Sequence, residues 1–178
     1  MVEAMETTVT WEIPTMTEQN QELRIPLDLS EWVLASELRN WIMSNVATLD
    51  WTNAALLDFL KTHPDFEPKA LLNTMTFAYS VGVFGAEEIA RHCSTSAEFR
   101  AVRPKLPPLV SDLRQFRKEN RGLLKWTVAN VITEALKSQF VEGNSINNIP
   151  AGLRRYVIDN AAERLDIARH LDRREDLL

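Results

Sequence analysis

Apolar residues recur at intervals of three and four along most of the chain, the period of helices with one face turned to a core. Pro26-Leu27-Asp28-Leu29-Ser30-Glu31-Trp32 reads as a turn into a helix from Ser30 to Asp50, with Leu34, Leu38, Trp41, Ile42, Val46 and Leu49 as its core stripe. Asp28 or Ser30 suits its N-cap. Thr52-Asn53 can cap a short helix bearing Leu56, Leu57, Phe59 and Leu60, which His63-Pro64 ends because a residue before proline avoids helical angles. Pro68 opens a helix that is apolar almost all round through Val81, with Gly82 and Gly85 at its close. Such a helix is buried on most sides. Ala86 to His92 and Ala97 to Val102 read as short helices separated by a Ser94-Thr95-Ser96 turn and cap, and Arg103 to Pro108 reads as a proline-bearing loop. A helix from Pro108 to about Asn120 carries Leu109, Leu113 and Phe116 on one face, with Val110 at its edge, and Arg114, Arg117, Lys118 and Arg121 on the other. Gly122 marks a break. A longer helix follows with Leu124, Val128, Val131, Ile132, Ala135 and Leu136, ending at Glu142-Gly143-Asn144-Ser145. Pro150 opens a last helix with Leu153, Val157, Ala161, Leu165 and Ala168 in period. The expectation is an all-α, compact multi-helix domain of seven to nine helices, with a helix-turn-helix-like core from Pro68 to Arg121. Five glycines and no Asn-Gly or Asp-Gly hairpin signal argue against an all-β chain.

Residues 1–22 have no helical period and predict a flexible N-terminal arm, whose Trp11, Ile13 and Met16 suit docking on the body. Residues 23–140 form the expected helical domain and 141–178 a C-terminal helical extension, its end from His170 highly charged and frayed. There is no repeat and no low-complexity tract.

Charge changes the picture. The net charge of −5 is unevenly spread. Residues 1–60 hold ten acidic and two basic side chains, whereas residues 91–125 hold nine basic against three acidic. A basic island in an acidic chain is what a polyanion needs, because each phosphate neutralised releases counter-ions; a solvated basic helix face has the same composition. The single cysteine, Cys93, excludes an intrachain disulfide framework and fits a reducing, cytoplasmic location. No signal peptide or membrane-length apolar run is evident. Cys93 follows His92, and helix neighbours point about 100° apart, so the two do not make a nucleophile and base. His63 stands alone in its loop. Metal-binding spacings and Gly-rich phosphate loops are missing from the sequence, so neither a cofactor, a small-molecule substrate nor an enzyme activity is expected.

Two segments together resemble the N-terminal domain of DDE-type insertion-sequence transposases. One is Pro26 to Trp32 with the helix that follows. The other runs Pro68, Leu71-Leu72, Tyr79, Gly82, Glu88-Ile89, Phe99-Arg100, Pro108 and Phe116-Arg117. The resemblance covers roughly residues 24 to 135, and the spacing of the landmarks carries it. It implies a helix-turn-helix module that helps bind transposon ends, ahead of a ribonuclease-H-like catalytic domain with three metal-holding carboxylates. Nothing after residue 136 resembles that catalytic domain, so the strand-transfer chemistry is not expected here. Gly85, Ala86 and Glu87 stand where the family has a Ser-Ser-Arg-like run. Pro108-Leu109-Val110-Ser111-Asp112-Leu113 replaces a Pro-Asp-His-Ser-Thr-Ile-like entry to the last basic helix. Both departures remove polar or basic groups from the side facing DNA.

Two functions follow as expectations. In the first, the chain binds double-stranded DNA. Its Pro108–Asn120 helix lies against the major groove, Arg114 and Arg117 contact bases or phosphates, and Arg91, Lys118 and Arg121 hold phosphates. In the second, the chain is a transposase-derived protein-interaction or dimerisation domain, forming a homo-oligomer and no longer binding DNA. The acidic first third, the five tryptophans and the apolar Leu109 and Val110 motivate it.

Overall fold

A computed structural model of the protein describes residues 24–62, 67–139 and 151–175. The expectations for Trp11, Ile13, Met16, His63, the 142–145 stop and Pro150 lie outside those residues. A 3-10 turn at Leu29–Glu31 is followed by α1 (Ala35–Ala47), α2 (Ala54–Thr62), α3 (Pro68–Ser80) and α4 (Ala86–Thr95). Then come α5 (Ala97–Val102), α6 (Val110–Glu119), α7 (Arg121–Ser138) and α8 (Ala151–Glu175). The protein is all-α: no strand occurs among the described residues, and one isolated antiparallel bridge joins Asp28 to Val81.

α3 is the axis. Pro68 occupies its first turn, where a missing N–H costs nothing. Leu71, Leu72 and every residue from Thr74 to Ser80 are buried, as an all-round apolar helix requires. α1, α5 and α7 pack around it, and α8 lies along α7. The buried threonines of this core are matched. Thr76 and Thr127 hydroxyls bond across α3 and α7 at 2.8 Å, and the Thr74 hydroxyl donates to the Ala70 and Val102 carbonyls. α8 delivers Val157, Ala161, Leu165 and Ala168 to the same core.

Several boundaries shift for local reasons. The Asp28 carboxylate accepts from the Ser30 amide at 2.8 Å, which caps only the 3-10 turn. α1 starts at Ala35, so Leu34 is an N-cap residue, 71% exposed, and not part of the stripe. The stripe that remains is Leu38, Ile42 and Val46, with Trp32, Trp41 and Leu49 packed partly buried against it. Asn53 caps α2 through the Ala55 amide, Leu56 is buried and Leu57 is exposed. Ser96 caps α5. α6 begins at Val110, and Leu109, expected on its core face, is the exposed N-cap. Leucine offers no acceptor, so the reciprocal half of a capping box stands alone: the Leu109 amide donates to Asp112 at 3.0 Å. The break before α7 falls at Asn120, not Gly122, which sits in the first turn of α7.

Gly82 turns the chain after α3 with φ +75°, a left-handed conformation. A Cβ there would meet Asp28 Cβ and the Leu27 carbonyl at 3.6 Å, ordinary contact. Gly82→Ala is therefore expected to cost about 1 to 2 kcal/mol from backbone strain alone. Chemical denaturation should show a lower midpoint with an unchanged slope.

Candidate nucleic-acid interface

The basic island does not form one face. Leu113, Phe116 and Arg117 are spaced i, i+3, i+4 on α6, so Arg117 shares the buried face with Leu113. This corrects its expected place among the outward bases. Arg117 is 5% exposed. Its Nε donates to the Tyr79 hydroxyl and its guanidinium lies 5.6 Å from the Tyr79 ring. The remaining donors reach the Phe84 carbonyl at 3.0 Å, the Ala168 carbonyl at 3.0 Å and the Asp172 carboxylate. A charge this deep is tolerable because it is paired and its donors are bonded. It is not presented to a nucleic acid. Burial pushes the Tyr79 phenol up to about 12, opposed by the nearby Arg117 charge.

Arg114 is half-buried between carboxylates of two other helices, 4.0 Å from Glu87 of α4 and 3.8 Å from Asp172 of α8. Glu87 thus stands beside α6, where the sequence comparison expected a base. Arg91 lies one turn beyond Glu87 on α4, exposed, and 3.6 Å from Glu88. Lys118 is exposed at the end of α6. Arg121 opens α7 and donates to Asp166 of α8 at 2.9 Å.

The structure therefore splits the five predicted bases. Arg117 is internal. Arg114 is held by acids. Arg91 lies on α4. Lys118 and Arg121 flank the α6–α7 corner. Two residues not singled out earlier join that corner. Lys125, exposed, is one turn after Arg121 on the same side of α7. Arg169 of α8 approaches Asp166 at 3.0 Å. The i, i+4 spacing of Arg121 and Lys125 was visible in the sequence. The arrival of α8 beside them was not. Around this corner Lys118 and Lys125 are exposed, Arg121 and Arg169 are half-exposed on Asp166, and the exposed Glu119 follows Lys118 in the chain.

The remaining candidate chemistry is dispersed. Cys93 is buried, and burial pushes its thiol up to about 11. The His92 ring stacks on Phe99 with centroids 5.1 Å apart. Among the described residues no group of three His, Cys, Asp or Glu is placed to hold a metal, and no helix is long and apolar enough to cross a membrane. Comparison with family models, curated proteins and solved structures found no match to this chain.

Proposed function

We propose that the chain is a duplex-DNA-binding module related to the N-terminal domains of DDE-type transposases, acting through phosphate contacts and carrying no catalytic residues. The basic corner of α6, α7 and α8 is the observation that supports this reading. Lys118 and Lys125 are exposed, and Arg121 and Arg169 converge from two helices. Such a surface neutralises phosphates and positions a protein on a duplex without reading sequence. Base readout by α6 is a smaller part of the proposal than its charge first suggested, because Arg117 is internal and Arg114 sits between Glu87 and Asp172.

Fluorescence anisotropy of a short duplex, titrated at several salt concentrations, tests it. Affinity is expected to fall steeply with salt, by a slope of about 0.9 for each phosphate contacted. Lys118→Gln and Lys125→Gln should each weaken binding to all sequences alike and reduce that slope by about one. Binding that is absent at low ionic strength refutes the proposal.

One observation favours a protein partner as the second reading. Leu106 and Leu109 are 80% and 66% exposed beside an open cavity of about 310 Å³ whose lining includes Leu71, Pro104 and Pro108. Light scattering over a concentration series tests self-association. A strict monomer would remove the homo-oligomer from consideration.

A further inference from the structure

We propose that Arg121 and Arg169 form a seat for a single phosphate group, and that Asp166 occupies this seat as an internal counter-ion. One oxygen of Asp166 receives a guanidinium nitrogen of Arg121 at 2.9 Å and one of Arg169 at 3.0 Å. The two arginines come from different helices, α7 and α8, and would repel each other without an anion between them. Phosphate offers the same kind of oxygen with more acceptors, and guanidinium groups match its geometry.

The three side chains are 42%, 49% and 42% exposed for Arg121, Arg169 and Asp166, so an anion reaches them from solvent. That exposure separates this corner from the pair around Asp172, where Arg117 is only 5% exposed and its donors are spent on internal acceptors. Lys118 and Lys125, three residues before and four after Arg121, are exposed and raise the local concentration of polyanions. Asp166 competes with the ligand for both guanidinium groups at once, so it sets the affinity of the seat.

The assignment of the phosphate to a duplex backbone rests on the proposed DNA binding; the seat itself does not. Wild-type protein, Asp166→Asn and the double variant Asp166→Asn/Arg169→Gln would each be titrated with a short duplex and, separately, with inorganic phosphate. Far-UV circular dichroism would verify the fold, which a half-exposed position should preserve. Asp166→Asn is expected to bind the duplex roughly five- to tenfold more tightly at low ionic strength, with a steeper salt dependence. It should also bind phosphate more tightly, and Arg169→Gln should abolish both gains. A gain for phosphate alone, with no salt-sensitive duplex binding in any variant, supports the seat and overturns the duplex reading. Duplex binding by the wild type with no gain for either ligand in Asp166→Asn overturns the seat and leaves the duplex reading standing. A gain that survives Arg169→Gln also overturns it, since the effect would then be one of overall charge.

Discussion

Arg117→Met is expected to destabilise the protein by about 3 to 5 kcal/mol, the cost of breaking a buried ion pair from one side. The substitution keeps much of the side chain's length, so packing alone changes little. It strips the hydrogen-bond donor from the Tyr79 hydroxyl, from the Phe84 and Ala168 carbonyls, and from Asp172. Asp172 would still have Arg114 at 3.8 Å, which limits the loss. For a domain of this size the melting temperature should fall by roughly 6 to 20 °C. A double-mutant cycle with Asp172→Asn isolates the ion pair: the two substitutions together should cost less than their sum, because the second removes a charge that has already lost its nearest partner. An Arg117→Met protein as stable as the wild type would mean that the guanidinium is not the tie between α6 and α8. The same experiment bears on function. If duplex binding survives per folded molecule in this variant, the phosphate contacts lie at the corner and not on the Arg117 face of α6.

Arg164→Met is the second large effect. Arg164 is fully buried, and its partners are Asn160 at 3.1 Å, the Tyr79 carbonyl at 2.7 Å, and the Pro26 and Leu27 carbonyls. Burial pushes this guanidinium down to about 10, partly offset by the charges of Glu163 and Asp28. Tyr79 lies in the last turn of α3, whose terminal carbonyls have no intrahelical donor. Arg164 satisfies one of them and places a positive charge at the negative end of the helix dipole. It also holds the incoming Pro26-Leu27 segment next to the Asp28–Val81 bridge. Methionine would leave the buried Tyr79 carbonyl and the part-buried Pro26 and Leu27 carbonyls without this donor, at about 1 to 3 kcal/mol for a buried unsatisfied group. Relief of the buried charge offsets part of that, so a net loss of about 2 to 4 kcal/mol is expected. Arg164→Lys should recover only a minor share, because an ammonium lacks the planar fork that spans separate carbonyls. Hydrogen exchange locates the effect. Amides between Ile25 and Val33 should exchange faster in Arg164→Met, and much less so in Arg117→Met at matched global stability.

Both arginines bind the same residue from opposite ends: Arg164 takes the Tyr79 carbonyl and Arg117 its hydroxyl. Tyr79 was legible as a buried residue, because it belongs to a helix apolar on nearly every side. Its two cationic partners were not, since they lie 38 and 85 positions away. Arg117 did leave a local signal. Leu113, Phe116 and Arg117 fall on one helical face, and the strong preference of arginine for solvent hid what the spacing showed. Arg164 left a similar one, one turn before Ala168 and three residues after Ala161 in an apolar stripe. Leu109 misled in the other direction. Its hydrophobicity placed it in the core, yet α6 starts one residue later and the N-cap points to solvent.

Periodicity and chain punctuation by themselves determined the all-α class, the succession of helices, the central place of α3 and most of the buried apolar positions. These follow from near-neighbour geometry, where three- and four-residue spacing decides which side chains share a face. Only the tertiary structure decided what each charge of the basic island does. α8 brings Asp166 and Asp172 against α6 and α7, turning Arg117 into a structural tie and holding Arg114 between acids. At the remaining corner, Arg121 and Arg169 share a single Asp166 oxygen. The physical reason is that a charge acts through whatever lies within a few ångströms of it, and the acids that hold Arg121 and Arg117 lie 45 and 55 residues away along the chain.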